Sequence, residues 1–220
     1  MTEAGLREEI CRVGRSLHGR GYVHGTTGNI SARLDDGFLI TPTDASLGEL
    51  DPAALARVAA DGSLCSGEPP SKTLALHRRI YAAAPDAGCV IHTHSRHLVA
   101  MTLELPDGEA RDDLLPPITP YFVMKVGHVP LVAYHRPGDP RVADLVAAAI
   151  ERSRRRGAPI RAVMLSRLGP NVWHRTPAAA MAVLEELEET ARLWRVCTPR
   201  STPLSDDQLA ELRQQFGASW

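Results

Sequence analysis

The chain has 220 residues, 44% of them hydrophobic, and 25 Lys plus Arg against 26 Asp plus Glu. That length and apolar content suit one domain with a sizeable core. The near-neutral charge, with no interleaving of basic and aromatic residues, excludes nucleic acid as a partner, and no window approaches the roughly 18 uninterrupted apolar residues of a membrane-spanning helix.

Leu6, Ile10, Val13 and Leu17 recur at three- and four-residue steps and predict a helix over residues 3–19, ended by Gly19 and Gly21. A small-polar loop follows, Gly25-Thr26-Thr27-Gly28-Asn29. Ile30–Leu34 and Phe38–Thr41 flank Asp35-Asp36-Gly37 and read as a β-hairpin; a second short pair surrounds Asp61-Gly62. Ser71 reads as the N-cap of a helix carrying Leu74, His77, Ile80 and Tyr81, which Pro85 stops. Cys89–His92 is a buried strand, residues 97–103 turn helical, and Pro106–Pro120 is an irregular functional loop. Beyond it lie a strand at 129–134, a helix at 139–156 and strands at 161–166 and 171–174. The run Arg152–Arg156 suits the negative end of the helix that it closes. Pro177 opens the last long helix, with Val183, Leu184, Leu187, Ala191 and Trp194 on one face. A domain over residues 1–198 is then followed by a tail or short helix within 199–220, the helix reading covering 205–216.

Strands that alternate with helices, together with tight hairpins, predict an α/β fold: a mixed, mostly antiparallel sheet with helices on its faces. The acidic N-terminus without an apolar signal core points to the cytoplasm, as do four cysteines without a CxxC pair. Cys11, Cys89 and Cys197 lie among apolar residues and are expected to pack as small hydrophobes.

His92 and His94 stand one residue apart at a strand end, where alternation points both side chains the same way. Two neighbouring imidazoles are the start of a divalent metal site, equally suited to zinc, iron or nickel. Glycine-rich loops offer backbone nests for anions, and Asn29, Thr43 and Ser71 add short polar groups. Lys72 places a cation beside them.

Taken together, these segments resemble the class II aldolase/adducin family. Gly25–Ser31 resembles its GTxGNxS signature, Leu39–Thr43 its second loop, Pro69–Lys72 with His77 its third, and Val90–Ser95 its metal strand. Val129–Leu131 with Tyr134 and Gly138, then Met164-Leu165 with Gly169-Pro170, follow in family order, so the likeness spans roughly residues 5–196. Pro70–Lys72, Tyr121–Gly127, Arg136–Asp139 and Glu185–Thr190 are most similar to the branch that decarboxylates 3-oxo-tetronate 4-phosphates. The resemblance implies one divalent metal, zinc with manganese, cobalt or iron as alternatives, held by His92 and His94 and stabilising an enediolate. It implies a phosphate pocket at Gly28, Asn29, Thr43, Ser71 and Lys72, and a homotetramer with sites between subunits. Lys72 and Tyr134 are its catalytic candidates, acting on a phosphorylated sugar or sugar acid.

Two positions depart from the family pattern. Thr73 stands where aldolases carry an acid/base glutamate, and Leu168 where a third metal histidine is expected. A catalytic metal takes three protein ligands and an open position, so another group has to substitute. His135, in a loop that the family places near the site, is the candidate, ahead of His97 and His128. Loss of the glutamate harms aldol cleavage, which must take a proton from a hydroxyl, more than decarboxylation, which removes none. A sugar-phosphate aldolase of the fuculose-phosphate type is the alternative within the fold; a non-catalytic adducin-like binding module is the alternative of another class.

Overall fold

In the computed structural model, which describes residues 1–197 and 201–220, the helix predicted over 3–19 is α1 (Glu3–Gly19). The Thr2 hydroxyl accepts from the Gly5 amide at its start. Leu34 stands opposite Gly37, so Asp35-Asp36 is a two-residue turn between β1 (Asn29–Leu34) and β2 (Gly37–Ile40). β3 (Ala56–Ala59) and β4 (Leu64–Ser66) form the second hairpin, and β5 is Cys89–His92 as expected. Between them lies α2 (Leu74–Ala83), followed after β5 by α3 (Arg96–Leu103).

Several boundaries differ from the sequence reading. Thr73, not Ser71, is the N-cap of α2; the Ser71 hydroxyl instead lies 2.9 Å from that of Thr73. The proline-rich stretch leads into a short helix, α4 (Pro120–Lys125), started by Pro120 in the first turn and by the Thr119 hydroxyl accepting from Phe122 N. Six residues give too little periodicity to be seen in sequence. The strand expected at 129–134 shrinks to β6 (Leu131–Val132), the last strand of the sheet, bridged on its outer side by Arg111 alone among the described residues. α5 (Arg141–Arg155), β7 (Ala162–Leu165), β8 (Gly169–His174) and α6 (Pro177–Cys197) follow. Cys11 and Cys89 are buried, but Cys197 is exposed at the end of α6, past the last turn that touches the core.

One eight-stranded sheet runs β4-β3-β2-β1-β5-β8-β7-β6. Only β6 and β7 pair in parallel, so the sheet is mixed and mostly antiparallel. Alternation along β5 sorts the layers. Cys89 and Ile91 join α1, α3 and α6 in one core cluster, while Val90 and its partner Trp173 join α2 and α5 in another. The same alternation turns His92 toward α2. Antiparallel pairing also brings the start of β1, the ends of β2 and β5, and the start of β8 to one edge of the sheet. The loops that carry the candidate residues therefore meet there.

The expected domain boundary at 198/199 lies outside the described residues. The helix expected within 205–216 is α7 (Asp206–Phe216), with a capping box between Ser205 and Gln208 and left-handed Gly217 at its end. Leu209 and Leu212 pack on Val123 of α4, and Trp220 stacks on His128 at 4.3 Å.

Candidate functional site

β5 delivers His92 at its last residue, and the buried turn Thr93–Ser95 carries His94. The two rings lie 5.2 Å apart, centre to centre, at 69°. His92 Nδ1 donates to the Pro170 carbonyl at 3.0 Å, which leaves its Nε2 as the lone-pair nitrogen. A backbone carbonyl on the far nitrogen is the usual way in which a ligating imidazole is oriented. Burial, then the neighbouring His94, pushes His92 down to about 4, and burial followed by His24 lowers His94. Both rings are thus neutral near pH 7, the form that binds metal.

The donor set fits part of a metal site. Two imidazoles on one tetrahedral ion, at metal–nitrogen distances of about 2 Å, have ring centres about 5 Å apart. The observed pair matches that spacing. Among the described residues no three His, Cys, Asp or Glu side chains are gathered into a ligand group. Gly169 shows how near the loop of position 168 comes to the pair. An added Cβ there would fall 1.9 Å from the Thr93 carbonyl oxygen, so this loop runs directly against the histidine turn. Leu168, the residue before it, packs against the α2–α5 core cluster.

The small-polar loops lie around this pair. Gly28, at φ +84°, lies so close that a Cβ would sit 2.9 Å from the His92 carbonyl oxygen. Asn29 is directly opposite His92 across β1 and β5. Thr43 N donates to Pro69 O, and Ser71 N to Thr41 O, which zips the second and third loops together. The start of α2 lies in this zipped region, and the positive end of a helix dipole favours an anion there. Lys72 is exposed beside it and forms no ion pair among the described residues.

Tyr134 and His135 lie apart from this group. Both follow β6, three strands from β5, or roughly 14 Å at ordinary strand spacing. Tyr134 is 52% exposed, and His135 Nδ1 donates to Ala133 O at 2.9 Å within its own loop. The structure brings together His92, His94, Gly28, Asn29, Thr43, Ser71 and Lys72; it does not bring His135 to the histidine pair. His97 faces Arg192 and Arg195 of α6, and His128 bonds Asp113.

Two residues not singled out from the sequence belong here. His24, just before the glycine loop, has its ring 6.3 Å from that of His94. Asn171 is directly opposite His92 on β8, so Asn29, His92 and Asn171 form a polar row across three strands. Below them His77 is fully buried, its Nδ1 2.8 Å from the Ser31 hydroxyl, which also contacts Tyr81 at 2.8 Å. Burial, then His92, pushes His77 down to about 3. Asn29 Oδ1, His77 Nε2 and both amide ends of Asn171 are buried with no partner among the described residues. Each such group costs about 1–3 kcal/mol, and their concentration beside His92 marks a place built to receive a polar ligand. A cavity of about 600 Å³ between Met101, Arg111, Trp194 and Trp220 contains none of these residues.

Comparison with known proteins follows the same line. Residues 8–195 match the family described as Class II Aldolase and Adducin N-terminal domain. The chain is 57% identical, over 100% of its length and 99% of the relative's, to the 3-oxo-tetronate 4-phosphate decarboxylase of Cupriavidus necator. It is 31% identical to the L-fuculose phosphate aldolase of Methanococcus maripaludis, over 84% of this chain and 93% of that one. Among solved structures it resembles YgbL of Klebsiella pneumoniae, described as an aldolase, epimerase or decarboxylase, with a TM-score of 0.87 and 41% identity over 97% of this chain and 100% of that one.

Proposed function

Because the chain belongs to the class II aldolase and adducin family, we propose that it is a divalent-metal-dependent lyase that decarboxylates a 3-oxo-tetronate 4-phosphate. The observation that carries this reading is the neutral His92–His94 pair, with the tautomer of His92 set by the Pro170 carbonyl, opening beside the Gly28–Asn29 and Ser71 loops. His92 and His94 would hold the metal, zinc foremost, which supplies Lewis acidity toward the ketone next to the departing carboxylate.

This chain's own residues do the remainder. The amides near Gly28 and Asn29, the Thr43 and Ser71 hydroxyls and the start of α2 bind the phosphate. Lys72 balances its charge. The polar row of Asn29 and Asn171 orients the oxygens at the reacting end and keeps them from bulk water. Thr73, hydrogen-bonded to Ser71, has no basic group to offer. An aldol cleavage needs a proton taken from a hydroxyl; decarboxylation does not. In the latter the bond between the carboxylate carbon and its neighbour breaks, and the electron pair passes into the adjacent ketone. Carbon dioxide leaves, and one proton then returns to carbon to give a three-carbon ketose phosphate. Tyr134 would supply that proton or order the loop, from a position that suits a site completed by a neighbouring subunit of a cytoplasmic homotetramer. No described helix is long and apolar enough to cross a membrane.

The test uses carboxylate-labelled 3-oxo-tetronate 4-phosphate and protein supplemented with zinc or manganese. Labelled carbon dioxide is expected. An aldehyde released from fuculose 1-phosphate, with no carbon dioxide from the keto acid, would replace this reading with the aldolase one.

A further inference from the structure

We propose that His24 is the third protein ligand of the metal site, taking the coordination position that Leu168 cannot fill. The inference rests on the metal-dependent reading above and adds to it a residue outside the family's ligand set.

Three rings stand in series: His92 to His94 at 5.2 Å and His94 to His24 at 6.3 Å, the latter at 77°. Rings that share one tetrahedral ion lie about 5 Å apart, so the His24 ring stands within roughly 1 Å of that spacing from His94. No three side chains are gathered into a ligand group among the described residues, so His24 reaches the ion only after its ring has turned. The His24 backbone is held. Its N–H donates to Thr27 Oγ1 at 3.0 Å, and its carbonyl accepts from both Thr27 Oγ1 and Thr27 N. Val23 beside it is buried, and Gly28 packs on the His92 carbonyl. The loop is thereby anchored to the strand that carries the pair. The side chain is different: His24 is exposed, and its ring nitrogens have no hydrogen-bond partner among the described residues. A fixed Cα with a free ring lets rotation about two side-chain bonds bring a nitrogen to the ion.

The competing donors are otherwise engaged. His135 is three strands away and donates to Ala133 O. His77 is fully buried with its Nδ1 held by the Ser31 hydroxyl, and its Nε2, though unpartnered, is not in any ligand group gathered among the described residues. Leu168 offers no lone pair.

The experiment measures zinc affinity by competition with a chromophoric chelator, and coordination by the visible spectrum of the cobalt(II)-loaded protein. Wild type, His24→Ala, His135→Ala, the His92→Ala/His94→Ala pair and His24→Ala/Leu168→His are compared, each with its fold checked by circular dichroism. His24→Ala is expected to weaken zinc at least about 100-fold, beyond the 10–100-fold that follows loss of an outer-shell partner, and to change the cobalt spectrum. Adding Leu168→His to it is expected to restore binding, because Gly169, the next residue, abuts the histidine turn. If the pair variant loses zinc while His24→Ala keeps wild-type affinity and spectrum, or if among the single variants only His135→Ala joins the pair variant in that loss, the assignment of His24 is overturned and the metal reading stands. If wild type takes up neither zinc nor cobalt, both fall together.

Discussion

Asn171 shows the cost of this site most plainly. It is fully buried in a central strand, and neither end of its amide has a partner among the described residues. An apolar residue of similar volume would remove an unmet desolvation penalty. Asn171→Leu is therefore expected to raise the unfolding free energy by about 1–3 kcal/mol, read from the urea midpoint, while lowering kcat/KM for decarboxylation. A variant that gains stability and keeps full activity would reduce Asn171 to a packing residue. His77 makes a second prediction, on metal-free protein. Burial holds its folded-state value at about 3, below the ordinary 6.5. Below pH 6.5 the unfolded chain therefore takes a proton that the folded one refuses. Stability is complete above that pH and falls as the pH drops toward 3, by several kcal/mol in the limit. Urea midpoints at pH 7 and pH 5 should differ in wild type and differ less in His77→Gln; equal differences would contradict the assignment. At this scale the sequence was partly legible. His92 and His94 were visible because strand alternation aligns them. His24 and Asn171 were not, since a single histidine before a turn, or a single asparagine in a strand, acquires meaning only from what the fold sets opposite it.

At the scale of elements, α6 organises the histidine turn from behind. Glu188 interrupts its apolar stripe, yet it is buried, and its carboxylate accepts from the His97 and Leu98 amides at 2.9 and 3.2 Å. It thus caps α3, whose N-cap Ser95 makes no side-chain cap bond of its own. The Glu185–Thr190 motif, legible as a family marker, has its physical reason here: one helix supplies the start of another and tethers Thr93–Ser95 between them. Glu188→Ala leaves two amides unmet and is expected to cost about 2–4 kcal/mol and to weaken metal binding by loosening His94. Glu188→Gln, which keeps one acceptor, should lose less of both. Metal affinity unchanged in Glu188→Ala would separate α3 capping from the site. Long periodic elements such as α1 and α6 were readable within a residue or so. α4 and β6 were not, because six residues or two carry no period and are defined by what they pack against.

For the whole molecule, antiparallel pairing accounts for the convergence of segments far apart in sequence. The start of β1, the ends of β2 and β5, the start of β8 and the head of α2 reach one edge of the sheet only because the order is β2-β1-β5-β8. The family resemblance supplied most members of this group but not their distances, and it grouped His135 with residues that the strand order sets three strands away. The proposed site would combine neutral imidazoles with polar loops suited to an anion and, among the described residues, has no carboxylate gathered beside the pair, a combination that would favour loss of carbon dioxide over aldol cleavage. The most direct measurement strips wild-type protein with a chelator, adds zinc back in steps, and follows carbon dioxide release from 3-oxo-tetronate 4-phosphate. Release should be absent at first and rise with bound metal to a plateau at one ion per chain, and the His92→Ala/His94→Ala variant should stay silent throughout. Release undiminished by chelation, or surviving in that variant, would contradict the account.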